Sequence, residues 1–139
     1  MATDTEKKSI LLIDDDPEVC ETLAKRLEEE GFAVRSALSG ERGLEIAFDE
    51  KPDLILLDIL MPGVDGWELL RRLRHEEWGR TAKVIVLTNV SDTEGAAIAM
   101  EQSVYDYIVK TDWKLDDVVA KVKERLAEEK KGTQIVPGV

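Results

Sequence analysis

Short apolar runs alternate along the chain with longer segments in which apolar residues recur every three or four positions. The short runs are predicted to be strands, whereas the longer period is typical of amphipathic helices. The predicted strands are Ser9–Ile13, Phe32–Val34, Leu54–Leu57, Lys83–Leu87 and Val104–Val109. Strands and helices that alternate in this way indicate a parallel sheet with helices on both faces, which is an α/β fold.

Capping residues mark where the predicted helices begin. Asp16 followed by Pro17 is a typical start, because aspartate accepts a hydrogen bond from the first turn and proline suits the first helical position. Gly31 is a natural stop for this first helix. The other helices are predicted to begin at Ser39, at Asp65, at Ser91 or Asp92, and near Leu115. Five helices would then flank the sheet.

Polar side chains stand where four of the predicted strands end. Asp58 follows the most apolar run, Asp14 and Asp15 follow the first strand, and Thr88 and Lys110 follow the fourth and fifth. The carboxyl ends of parallel strands lie at one edge of the sheet, where α/β proteins build their binding sites. These carboxylates, a hydroxyl and an ammonium group are therefore expected to share one site.

This set of side chains suits a divalent cation and a phosphoryl group. Asp14, Asp15 and Asp58 would repel one another without a cation, and Mg²⁺ prefers carboxylate and phosphate oxygens. A carboxylate such as Asp58 can act as a nucleophile and form an acyl phosphate. Thr88 could donate a hydrogen bond to a phosphoryl oxygen, and Lys110 could supply a positive charge.

Length and composition narrow the function further. The 139 residues fit one domain, and a formal charge of −11 argues against direct binding to nucleic acid. A single cysteine excludes a disulfide within the chain, and no stretch approaches the roughly 18 apolar residues of a membrane helix. We therefore expect a cytoplasmic protein without membrane insertion. We expect the chain to consist of a flexible arm at residues 1–8, a domain at 9–130 and a tail at 131–139.

The residues at the strand ends resemble those of a known family. Asp14-Asp15, the stretch from Leu56 to Gly66 around Asp58, Thr88 and the Tyr107–Lys110 segment look like the receiver domain of two-component response regulators. The resemblance covers roughly residues 9–127. It implies a doubly wound, flavodoxin-like sheet of five parallel strands in the order 2-1-3-4-5, flanked by five helices.

The resemblance also implies a role for each site residue. Asp58 would accept a phosphoryl group from a histidine of a sensor kinase or a phosphotransfer protein. Asp15 would bind Mg²⁺ directly, Asp14 would bind it through water, and the backbone carbonyl of Leu60 would be a further ligand. Lys110 would pair with the phosphoryl group.

Phosphorylation would then act as a switch. Thr88 would move toward the phosphoryl oxygen and Tyr107 would change rotamer, so that the face formed by the fourth helix, the fifth strand and the last helix binds an unknown downstream protein differently. We expect a single-domain regulator that is not an enzyme, as a monomer or a phosphorylation-dependent dimer. A phosphorylation-independent adaptor and a Mg²⁺-dependent aspartyl-phosphate phosphatase are the alternatives.

The chain departs from the family pattern at three positions near the site. Asn89 stands where the family usually has a small residue, which would narrow access to the phosphoryl group. Thr111 follows Lys110 where the family usually has a proline in a cis peptide, so we expect a strained loop or a shifted Lys110. Ser103 replaces a common glycine.

Three further residues have competing interpretations. Asp16 could be a third metal ligand, but Pro17 directly after it favours a helix cap. His75, the only histidine, lies in a charged helix end and is predicted to be solvated rather than a phosphoacceptor. Cys20 is predicted to be buried and inert on the apolar side of the first helix.

Overall fold

A computed structural model describes residues 7–58, 66–88, 106–109 and 114–127; for residue 88 and residues 106–109 it describes the backbone only. The strands are β1 (Ser9–Ile13), β2 (Ala33–Ala37), β3 (Leu54–Asp58), β4 (Val84–Thr88) and β5 (Asp106–Val109). The helices are α1 (Pro17–Glu29), α2 (Gly40–Glu50), α3 (Gly66–His75) and α4 (Leu115–Ala127), with a short 3₁₀ helix at Trp78–Thr81. The predicted helix after Ser91 lies outside the described residues.

The strands form one parallel sheet in the order β2-β1-β3-β4-β5. Ile13 pairs with Leu57 across β1 and β3, and Asp58 pairs with Leu87 across β3 and β4. Both the α/β class and the strand order implied by the resemblance are confirmed. Because β3 lies in the middle, its carboxyl end has a neighbouring strand on each side.

The sheet separates two apolar clusters. Successive strand residues point to opposite faces, so Leu11 and Ile13 of β1 pack with α2 and α3, while Ile10 and Leu12 pack with α1 and α4. Every residue of β3 is buried. This explains the uninterrupted apolar run of β3, since a strand covered on both faces needs no polar alternation.

The second strand was predicted at Phe32–Val34, and that boundary is wrong. The strand runs from Ala33 to Ala37 and pairs with β1 along its whole length. It lies at the edge of the sheet, where Arg35 and Ser36 are exposed. Polar residues on an edge strand leave no apolar run, so the hydrophobic pattern marked only its first part.

Capping accounts for the helix boundaries near the site. Asp16 caps α1 by accepting a hydrogen bond from the Glu18 N–H at 3.0 Å, and Ser39 caps α2 by accepting one from the Arg42 N–H at 3.2 Å. Lys51, in the left-handed conformation with φ of 48°, ends α2. In the part of the chain that the structure describes, no helix is long and apolar enough to cross a membrane.

Candidate functional site

The ends of β1 and β3 bring the first acidic residues together. Asp14 follows β1 directly and Asp58 is the last residue of β3, on the neighbouring strand. Each carboxylate-bearing residue is only 5% exposed. Burial of carboxylates is costly unless they are paired or bind a metal ion, so these two residues mark a candidate binding site.

A third carboxylate completes a cluster. Asp14, Asp15 and Asp58 each have a carboxylate oxygen within 4.8 Å of the others, and Asp15 is exposed to solvent. Three hard oxygen donors at this spacing fit a divalent cation such as Mg²⁺, which keeps water on its open side. The predicted juxtaposition of these three residues at one edge of the sheet is therefore present.

Asp14 is fixed by contacts from three directions. Its backbone N–H donates to the Ala37 carbonyl at 3.1 Å, and its Oδ1 accepts from the Asp16 N–H at 3.0 Å. Its carbonyl accepts a hydrogen bond from the Cys20 thiol, with Sγ 3.5 Å away. These contacts hold the turn between β1 and α1 in one shape.

Asp16 does not belong to the acidic cluster that the described residues form. Its side chain caps α1 instead. The interpretation of Asp16 as a helix cap is thus confirmed. Its backbone also serves the site, since its N–H orients the Asp14 carboxylate.

The remaining candidates are placed only in part. Thr88 ends β4, next to the end of β3, and Tyr107 lies within β5, where it pairs with Val86. Lys110 and Leu60 lie outside the described residues. The departures at positions 89, 103 and 111 also lie outside them.

Two residues with competing interpretations are clearly placed. His75 is exposed at the end of α3, as predicted. Cys20 is 4% exposed on the inner side of α1, so its predicted burial is confirmed. Its contact with Asp14 was missed, because a contact between residues six apart across a loop leaves no pattern in the sequence.

The resolved pKa shifts of the described residues lie away from the acidic cluster, on α1 and its C-cap and on α3. At the C-cap of α1, hydrogen bonds from Lys123 and then Arg26 hold the pKa of Glu30 below its ordinary value. Arg26 also bonds Asp116 of α4 at 2.7 Å, which raises the pKa of the guanidinium. On α3, the hydrogen bond from Arg71 lowers the pKa of Glu68. The α1–α4 group is an ion network that joins two helices on one face of the sheet.

Comparisons with known proteins agree with this geometry. The family model of the response regulator receiver domain matches residues 10–123. The transcriptional regulatory protein AfsQ1 of Streptomyces coelicolor is 38% identical over 102 residues, which cover 73% of this chain and 44% of AfsQ1. The chain spans about half the length of the curated relatives it matches.

Solved structures match over a larger share of their length. A receiver domain protein from Methanospirillum hungatei is similar with a TM-score of 0.80 and 30% identity, covering 86% of this chain and 94% of that one. The response regulator TrrA from Thermotoga maritima, solved in complex with Mg²⁺-BeF, has a TM-score of 0.74 and 35% identity. The match covers 84% of this chain and 97% of TrrA.

Proposed function

The chain belongs to the response regulator receiver domain family, and on that premise we propose that Asp58 is the residue that accepts a phosphoryl group. The observation that carries the proposal is the acidic cluster, in which Asp58 lies within 4.8 Å of Asp14 and Asp15. Receiver domains interact with histidine kinases in two-component systems. The proposed donor is a phosphohistidine of such a kinase or of a phosphotransfer protein.

Asp58 is better suited to the reaction than its neighbours. Asp14 already uses Oδ1 to accept from the Asp16 N–H, and Asp15 is open to water. Asp58 ends the central strand of the sheet, and its burial keeps bulk water from competing with its carboxylate. In the proposed transfer a carboxylate oxygen of Asp58 bonds to phosphorus, the phosphorus–nitrogen bond breaks, and the leaving imidazole takes up a proton.

The residues present fit a Mg²⁺ ion. Asp15, Asp14 and Asp58 would hold it, with the Leu60 carbonyl as a further ligand by resemblance to the family. When bound, the ion would offset the negative charge of the carboxylates and the phosphoryl oxygens. The Mg²⁺-BeF complex of TrrA supports this proposal, because that protein is 35% identical to this chain.

Thr88 and Lys110 are proposed to complete the site. β4 lies beside β3 in the sheet and ends at Thr88, and we propose that the Thr88 hydroxyl donates a hydrogen bond to a phosphoryl oxygen. Lys110 follows β5, the next strand in the sheet. Its ammonium group would neutralise charge on the phosphoryl group. Tyr107 on β5 would change rotamer in response, and this would alter the surface that binds the downstream protein.

The output is proposed to be a protein contact. A net charge of −11 disfavours direct contact between this domain and DNA. AfsQ1 is a transcriptional regulatory protein, and this chain covers 44% of its length. The single-domain arrangement, the cytoplasmic location and the oligomeric state stay predictions.

Phosphorylation by a small donor tests the proposal. The full chain is incubated with acetyl phosphate, with and without Mg²⁺, and weighed intact beside Asp58→Asn and the exposed helix variant Asp49→Asn. We expect one added phosphate in the wild-type protein and in Asp49→Asn, only with Mg²⁺, and none in Asp58→Asn. Phosphate on Asp58→Asn, or its absence from a wild-type protein that binds Mg²⁺, would contradict the proposal.

Two other functions make different predictions. A Mg²⁺-dependent phosphatase would turn over a generic phosphomonoester, but such enzymes place an acid two residues after the nucleophile, where this chain has Leu60. A phosphorylation-independent adaptor would bind its partner equally well as Asp58→Asn. Neither has an observation in its favour that the receiver function lacks.

A further inference from the structure

The single cysteine of the chain, Cys20, lies directly beneath the Asp14–Asp16 turn between β1 and α1. Cys20 is in the first turns of α1 and is 4% exposed. Its thiol donates to the Asp14 carbonyl, with an Sγ–O separation of 3.5 Å, and its backbone N–H donates to the Asp16 carbonyl at 3.1 Å. One residue therefore contacts both ends of the Asp14–Asp16 turn.

The surroundings of this contact are incompletely packed. A cavity of about 10 Å³ lies at the boundary between the apolar core and the acidic cluster. Cys20, Asp14, Asp58 and Leu87 are among the residues that line it. Atoms beside a void lose dispersion contacts on that side, so hydrogen bonds matter more for the position of Asp14 than they would in a fully packed site.

We propose that Cys20 is a positioning residue, whose thiol keeps Asp14 in the geometry of the acidic cluster. The inference rests on the proposed function in so far as that cluster holds Mg²⁺. Two further hydrogen bonds of Asp14 are made with a backbone carbonyl at Ala37 and a backbone N–H at Asp16. Of these three described hydrogen bonds, the one from the thiol comes from a side chain, so a substitution can remove it while the backbone partners remain.

A series of substitutions separates the hydrogen bond from packing. Cys20→Ala and Cys20→Val both remove the hydrogen-bond donor. Alanine leaves a larger cavity, whereas valine fills it. Cys20→Ser keeps a donor, because the serine hydroxyl is a stronger donor than a thiol, although the Cβ–O bond is slightly shorter than the Cβ–S bond. Leu23→Ala is the matched control, because Leu23 is buried on the same helix face and lines the same cavity but carries no polar group.

The first readout needs no metal. Amide hydrogen exchange of the full chain is followed by NMR at Asp14 and Asp16, whose N–H groups make the hydrogen bonds described above. We expect exchange about two- to fivefold faster in Cys20→Ala and Cys20→Val, the factor that a weak hydrogen bond supplies. The exchange rates in Cys20→Ser should lie nearer the wild-type rates than those of either other variant. Leu23→Ala should change the exchange rates of these two amides no more than it changes those of other amides in α1.

The second readout is Mg²⁺ affinity measured by calorimetry. The dissociation constant should rise about two- to fivefold in the Ala and Val variants, and less in the Ser variant. The proposal is overturned if Ser is no better than Val, if all three variants match the wild-type protein, or if Leu23→Ala shows the same changes. Failure of the wild-type protein to bind Mg²⁺ contradicts the proposed function instead, and the exchange rates then decide the role of Cys20.

Discussion

Gly43 is predicted to be a position where adding one methyl group damages the fold and the site together. It lies in α2, against the side chain of Ile13. A Cβ at this position would lie 2.6 Å from Ile13 Cδ1, 2.8 Å from Cγ1 and 3.0 Å from Cγ2. Ile13 directly precedes Asp14, so a displacement of the Ile13 backbone would also move the Asp14–Asp16 turn.

Two opposing effects set the magnitude for Gly43→Ala. Alanine is favoured over glycine inside a helix by about 0.5–1 kcal/mol. The overlap with Ile13 must be relieved by moving a side chain that is 1% exposed, and overpacking of this kind costs about 1–3 kcal/mol. The net expectation is a loss of roughly 0.5–2 kcal/mol in the free energy of unfolding.

Equilibrium unfolding in urea measures this loss, and a double-mutant cycle assigns it. Ile13→Val removes Cδ1, the nearest of the three atoms. In the wild-type background that change should cost about 0.5–1.5 kcal/mol. Beside Gly43→Ala it should cost less, with a coupling of about 0.5–1 kcal/mol between the two sites. The rescue is expected to be partial, because Cγ1 and Cγ2 occupy positions that valine retains.

Either of two results would contradict a steric conflict between residue 43 and Ile13. One is a Gly43→Ala protein as stable as the wild-type protein with an unchanged denaturant slope. The other is an equal cost of Ile13→Val in both backgrounds. Either result would mean that α2 can shift away from β1 without strain, so that the close approach is not a constraint.

Three further predictions follow from single contacts. Asp16→Ala should lose the α1 cap, and thermal unfolding should show a loss of about 1 kcal/mol of stability. Asp16→Asn should keep both the cap and the Mg²⁺ affinity. Loss of Mg²⁺ binding in Asp16→Asn would indicate that Asp16 is a metal ligand. Gly79→Ala should cost more than 3 kcal/mol, roughly the upper range of overpacking, because its Cβ would lie 1.8 Å from the Leu73 carbonyl oxygen; a normal urea midpoint would contradict this. The pKa of Glu30 is lowered, so its ion pairs stabilise the fold above the carboxyl's unfolded-state pKa, near 4.5, and are lost as pH falls through the lower folded-state value. Lys123→Met should therefore flatten the acid side of the stability–pH curve, and an unchanged curve would show that the pair contributes nothing.

The sequence predicted the acidic cluster because its cause is simple. Residues after parallel strands must meet at one edge of the sheet, so Asp14, Asp15 and Asp58 could be grouped from the sequence. The Asp16 cap was equally accessible, since proline at the first helical position leaves few other roles for the residue before it. Both predictions depend on local chemistry and on strand direction alone.

Contacts between distant residues were beyond this reasoning. The hydrophobic pattern did not predict the second part of β2, because Arg35 and Ser36 are exposed to solvent at the sheet edge. The close packing of Gly43 against Ile13 could not be predicted, because the role of a glycine in close packing depends on what lies opposite. The Cys20 contact depends on how α1 folds back under the loop, and side-chain hydrogen bonds of this kind have no periodic signal.

Locating the phosphoryl group on the chain would test the assignment of Asp58 as the phosphoacceptor. After reaction with acetyl phosphate and Mg²⁺, borohydride reduction converts a phosphorylated aspartate to homoserine, which peptide sequencing by mass spectrometry can place. We expect homoserine at position 58 and unchanged aspartate at Asp14 and Asp15. Homoserine at either of those two residues, or at none of the three, would contradict it.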